Sequence, residues 1–239
     1  MGLLVLVRHG QASFLADDYD KLSPIGEDQA RRLGRFWVTQ GVVFDHVFTG
    51  PLFRQIRTAE IVGQEFRAAG GEWPDPEVLS GLAEYDGSAA MRTLLPLLCD
   101  HDIRVRELSL AYEASRGTPE EPKAFQRIFE AVTNAWIADQ IHAPGLLRWS
   151  DFKHQVREGV GRMVNGGGSG RRIAAFTSGG PTSVVVQMAL DISDEKTIEL
   201  NWQIRNSALT ELLFSKERLT LDRFNALPHL PDISEWTYR

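Results

Sequence analysis

Residues 3–11, LLVLVRHGQ, decide how the chain is read: five successive apolar side chains end abruptly at Arg8-His9-Gly10. A strand covered on both faces shows a continuous apolar run instead of alternation, so residues 3–7 read as a central strand with a cation and an imidazole at its carboxyl end. The next stretch, SPIGEDQARRLGRFWVTQG (23–41), sets Ile25, Ala30, Leu33 and Trp37 at helical spacing between Ser23-Pro24 and Gly41, a helix with both stop signals. The plan recurs in FDHVFTGPLFRQIRTAEIVGQEF (44–66), where Leu52, Ile56, Ala59 and Phe66 share one helical face. It recurs again in RRIAAFTSGGPTSVVVQMAL (171–190), where a strand over 172–176 breaks at Thr177-Ser178-Gly179-Gly180 and Pro181 suits a first helical position. Ahead of that strand, Phe152, Val156, Val160 and Met163 mark another helix.

Alternating strands and helices predict a three-layer α/β/α sandwich around a mostly parallel sheet. ALTELLF and LTLDRF, separated by SKER, alternate more cleanly and read as an antiparallel edge hairpin. Residues 88–145 are helix-rich and read as a cap-like insertion over the active-site end of a single domain, 1–239. NGGGSG (165–170) reads as a flexible turn, since no Gly-Lys-Ser/Thr follows it.

With 239 residues, 43% hydrophobic and 24% charged, the chain is expected to fold around a substantial core. A net charge of −6 argues against nucleic acid as a partner. No apolar run approaches membrane-span length, and the N-terminal run is too short for a signal-peptide core, so the expected location is the cytoplasm. Leu6 occupies the position where a myristoylation signal requires Ser or Thr. The single cysteine, Cys99, reads as a packed thiol.

Ligands of open α/β sheets gather at the carboxyl ends of the strands. Three loops converge there: Arg8-His9-Gly10-Gln11, the stretch Thr49–Thr58, and Thr177–Gly180. Guanidinium forks, an imidazole and helix N-termini suit a phosphoryl group. In order, VRHGQ, LSPIGEDQA, TGPLFRQIRTAE and GLAEYDG, with the tail RNSALTELLF and FNALPHL, resemble the histidine phosphatase, or phosphoglycerate mutase-like, superfamily. The resemblance implies that His9 attacks phosphorus to give a phosphohistidine that water hydrolyses, a hard displacement split into two easier ones. It also implies that Arg8 and Arg54 hold the phosphoryl oxygens and that Glu84 protonates the leaving oxygen, with Asp86 in reserve. Gly10 lets the backbone approach closely, and Gln11, Thr177, Ser178 and Gly179 complete the phosphate set. Arg57 is read with equal weight as a site residue or an outward charge. His46, His101, His142, His154 and His229 lie in no motif and read as structural or surface residues.

One departure stands out: the family's second histidine is Ser178 here. Losing one electrostatic partner of a transition-state clamp typically costs two to three orders of magnitude in rate. The expected function is therefore weak phosphomonoester hydrolysis without cofactor or metal, acting on a small phosphorylated substrate. The alternatives are a degenerate phospho-ligand binder and, lower, mutase-type phosphoryl transfer. A further reading makes Ser178 the nucleophile of an α/β hydrolase with Asp222 and His229 following in chain order, although Phe176 stands where that elbow needs glycine. Asp100-His101-Asp102 is a poor metal site because neighbouring side chains diverge. Substrate identity and oligomeric state are not readable.

Overall fold

In the computed structural model, residues 1–13, 20–165, 170–216 and 218–238 are described. Part of NGGGSG and of SKER lies outside them. Strand β1 (Gly2–Arg8) occupies the centre of a six-stranded sheet of order β3-β2-β4-β1-β5-β6. Here β2 is His46–Thr49, β3 Glu77–Val78, β4 Arg172–Thr177, β5 Leu209–Phe214 and β6 Leu219–Ala226. The first four of these positions, β3-β2-β4-β1, run parallel, and β5 and β6 are antiparallel, as the alternation implied. The two-residue edge strand β3 carried no sequence signal.

Because β1 is flanked by strands on both sides and helices on both faces, Leu4, Leu6 and Val7 are fully buried. Each such side chain contributes roughly 1.5–3 kcal/mol. On one face, Val5 and Val7 meet Ala30, Leu33 and Trp37 of α1 (Pro24–Thr39) and Ala59, Val62 and Phe66 of α2 (Phe53–Ala68). Later in the chain, α7 (Gly179–Leu190) lies against β1 and β6, and α8 (Asp194–Gln203), which the sequence reading did not separate, packs on α7.

The helix limits show where local reading slipped. Ser23 caps α1 through Gly26 N–H (3.1 Å) and Gly41 turns left-handed after it, but Ile25 is 53% exposed. In a first turn capped this way, position 25 points to solvent. Leu52 precedes α2 instead of joining its face, and Pro181 is the third residue of α7, with Ser178 at the cap position.

A second compact unit, Tyr85–His154, contains α3 (Gly87–His101), α4 (Ile103–Ser115), α5 (Glu121–Ile137) and the first turns of α6 (Trp149–Val164). Its aromatic core stacks Trp149 on Phe152 and sets Trp136 edge-on to Trp149. Pro96 sits inside α3 and does not end it; Cys99 is half-buried. No helix among the described residues is long and apolar enough to cross a membrane.

Candidate active site

The parallel ladder between β1 and β4 ends at Arg8 opposite Thr177, which sets His9 beside Ser178 just past the strand ends. His9 is fixed on both flanks: its N–H donates to Thr177 O (2.9 Å), and its carbonyl accepts from Ser207 N–H (3.1 Å) and Asn206 Nδ2 (3.5 Å). With the backbone held, the buried ring has little freedom. Its Nδ1 lies 2.7 Å from Gly10 O, a group that only accepts, so Nδ1 carries the proton. Nε2 is then a bare lone pair, and it receives the Nε–H of Arg54 at 3.1 Å. Burial first, then the Arg54 and Arg8 charges, holds the ring well below the usual imidazole range, against an opposing contribution from Gly10 O.

Arg54 is 7% exposed and turns its other edge to Asp20, whose Oδ1 lies 2.8 Å from Nη1. Asp20 also accepts from Phe53 N–H (2.8 Å) and so caps α2, where Leu52 offers no side-chain acceptor. Arg8 donates through Nη1 to Ile204 O. Glu84 follows a 3₁₀ turn at Ser80–Leu82, and its Oε2 accepts from Gly180 N–H (3.1 Å) in the first turn of α7. His9, Arg8, Arg54, Glu84 and Ser178 thus lie at or beyond the carboxyl ends of the four parallel strands β1, β2, β3 and β4.

Other expectations need correction. Asp86 caps α3 through Ala89 N–H (2.8 Å), which leaves Glu84 as the carboxylate of the pair at the α7 terminus. Thr177 donates its hydroxyl to Leu82 O (2.8 Å) and leaves the donor set for a phosphoryl group. Gln11 Oε1 accepts from Ser23 Oγ (2.8 Å) beside the start of α1. The close approach that requires glycine at position 10 is to the first turn of α1: a Cβ there would stand 2.3 Å from Gly26 O. Arg57 pairs with Glu27 (3.4 Å) and Glu60 (3.3 Å), the outward alternative. Gly179, the first residue of α7, keeps its place at a helix N-terminus.

The hydrolase-elbow reading fails. Ser178 has ordinary extended backbone (φ −126°, ψ −177°), Asp222 is exposed, and His229 Nε2 is 2.8 Å from Ser207 Oγ. Among the described residues, no group of three His, Cys, Asp or Glu is placed to hold a metal.

Asp20, Gln55, Asn206 and Ser207 escaped sequence reasoning. Gln55 is fully buried; its Nε2 donates to Leu82 O (2.9 Å) and Ser178 Oγ (2.8 Å), and its Oε1 accepts from Leu52 N–H (3.2 Å). It sat unremarked inside TGPLFRQIRTAE. Ser207 holds a left-handed φ of +62°, which costs a non-glycine residue roughly 1–2 kcal/mol.

His229 Nε2 holds the Ser207 hydroxyl (2.8 Å), and burial lowers its pKa to about 3. The unfolded ring titrates near 6.5, so below that pH the unfolded chain binds a proton the native one refuses. The stabilisation is complete above pH 6.5 and is lost as pH falls toward 3, with His9 acting in the same direction; for His229 it amounts to roughly 5 kcal/mol. His229→Phe is expected to remove about one proton from the slope of unfolding free energy against pH between 4.5 and 6.5, measured by urea titration. An unchanged slope would mean that His229 is not buried in its neutral form.

Residues 4–91 match the family model of the histidine phosphatase superfamily, branch 1. The matched stretch contains His9, Arg54 and Glu84. The chain is 38% identical over 84 residues to a 2,3-bisphosphoglycerate-dependent phosphoglycerate mutase of Methylorubrum populi, covering 33% of this chain and 40% of that one. It is 42% identical over 66 residues to 2-carboxy-D-arabinitol-1-phosphatase of Triticum aestivum, 25% of this chain and 13% of the relative. The chain spans less than half the length of the curated relatives it matches. Two solved structures share this fold: Bacillus stearothermophilus YhfR (TM-score 0.65, 19% identity, 96% and 100% coverage) and a mycobacterial glucosyl-3-phosphoglycerate phosphatase with inorganic phosphate (TM-score 0.62, 18% identity, 95% and 98%).

Proposed function

We propose that this chain hydrolyses phosphomonoesters through a phosphohistidine on His9. The observation that carries the reading is the ring itself: buried, neutral, with its proton on Nδ1 and its Nε2 lone pair turned toward a guanidinium. An arriving phosphoryl group takes the place between Nε2 and Arg54, which turns its N–H groups from the ring onto the oxygens. Nε2 then forms a bond to phosphorus while the ester P–O bond breaks, and Glu84 in its acid form gives the leaving oxygen its proton. In the second half, Glu84 as carboxylate takes a proton from water, the water oxygen bonds phosphorus, and the P–N bond breaks to release phosphate and neutral His9. Arg8, Arg54 and the α7 N-terminus stabilise the charge spread over the equatorial oxygens, so the chemistry calls for no metal or cofactor. The net charge of −6 favours a small substrate over a polyanion.

Ser178 in place of a cationic ring favours a second reading, a phospho-ligand binder without turnover. Mutase transfer is a lower alternative, supported by the names of several relatives. The test is covalent trapping: brief exposure to p-nitrophenyl phosphate, quench, and mass spectrometry of the His9 peptide. An acid-labile, base-stable phosphate on His9 is expected. Binding of inorganic phosphate with no such adduct would leave only the binder.

A further inference from the structure

We propose that Gln55 is a positioning residue that orients the Ser178 hydroxyl, so that the pair supplies the transferring phosphoryl group with a neutral donor where a second imidazole would stand. The inference rests on the His9 reading above.

Ser178 is fully buried, and its side chain does not cap the helix that it begins. Among the described residues the Ser178 hydroxyl has one hydrogen-bond partner, Gln55 Nε2, which donates to Oγ at 2.8 Å. An amide N–H has only a proton to offer, so the serine oxygen must accept and its own O–H must aim elsewhere. No described atom receives that proton. A buried hydroxyl hydrogen without an acceptor is costly unless a ligand supplies one. Past the ends of β1 and β4, Ser178 has His9 as its neighbour, so an oxygen of a phosphoryl group on Nε2 is the acceptor within reach.

Gln55 is itself over-determined. Leu82 O accepts one bond from its Nε2 and Leu52 N–H donates to its Oε1, so the amide cannot flip and present its oxygen to Ser178 instead. Consecutive residues of one helix therefore address consecutive parts of the site: Arg54 meets His9, and Gln55 meets Ser178. The same geometry accounts for serine at this position. A larger side chain following the Oγ direction would run into the buried Gln55 amide.

Orthovanadate, which adopts the trigonal geometry of a transferring phosphoryl group, reads the donor without requiring turnover. Calorimetry on the full chain should show Ser178→Ala and Gln55→Met each weakening vanadate binding about tenfold, as the loss of one hydrogen bond implies. The double variant should be no weaker than either single one, because Gln55 acts through Ser178. With p-nitrophenyl phosphate, both single variants should lose kcat while KM changes little.

Wild-type vanadate affinity in Ser178→Ala or in Gln55→Met overturns the proposal, as do losses that multiply in the double variant. Gln55→Glu covers the case in which the methionine variant does not fold. A carboxylate at 55 accepts the serine proton and withdraws it from the pocket, so adding Ser178→Ala to that background should change nothing; a further tenfold loss there also overturns the pairing. Failure of the phosphohistidine reading shows up separately, as absence of the His9 adduct in the wild type.

Discussion

Replacing His9 by alanine is expected to lower phosphomonoesterase turnover by at least about four orders of magnitude and to eliminate the phosphoenzyme. The size follows from what the ring does. It is the one group at the site with an unprotonated, unshared nitrogen pair directed at the anion position, and its orientation is fixed by Gly10 O on one side and Arg54 on the other. Ser178 is no substitute nucleophile, since its oxygen accepts from an amide and has no base beside it. What remains in the variant is the guanidinium clamp and the helix terminus acting on bound water. The same ring makes a prediction about pH. Because burial and two arginines keep it neutral far below 6.5, the acid limb of kcat/KM should fall below pH 6 and should not track a normal histidine. Steady-state rates for the variant within tenfold of wild type would end the mechanism.

The second large effect concerns stability and arises where nothing is charged. A Cβ on Gly26 would lie 2.1 Å from Gln11 O and 2.6 Å from Gln11 N, while one on Gly10 would lie 2.3 Å from Gly26 O. These are backbone atoms held by β1 and α1, so neither side can yield by rotating a side chain. Gly26→Ala is expected to cost roughly 3 kcal/mol or more, which corresponds to a melting temperature lower by roughly 10 °C in a chain of this size. Gly26 has no place in the chemistry, yet its substitution should also impair catalysis. Separating α1 from the loop moves Gly10 O, the acceptor that sets the His9 tautomer. Thermal unfolding and vanadate titration of the same sample read both consequences. A melting temperature equal to wild type would show that the close approach is not needed.

Much of this architecture was legible because it rests on periodicity. The apolar run 3–7, the capped pattern 23–41 and the strand-turn-helix at 171–190 each carry their own signal, and the convergence of the loops at 8–11, 49–58 and 177–180 follows once strands are parallel, whereas Glu84 was reached only through the resemblance of GLAEYDG. The rest depends on distant hydrogen bonds. Gln55 looked like any polar residue on a helix until Leu82 O and Ser178 Oγ, one from a 3₁₀ turn and one from the far end of β4, met its amide. Asp20 is a cap for a helix that begins over thirty residues later, and Thr177 faces Leu82 because of a turn that has no compositional mark. Gly10 was assigned its need for close approach correctly, but the approaching group was a helix.

The placement of β1 has a consequence for how the molecule comes into being. β1 takes its hydrogen bonds from β4 and β5, which leave the ribosome some 170 to 200 residues after it. Until then its five greasy side chains have no sheet to enter, so assembly is governed by slow, sequence-distant pairing, and the nascent chain is vulnerable to clumping in the interval. A chaperone that shields an extended apolar segment should therefore raise the yield of refolded protein.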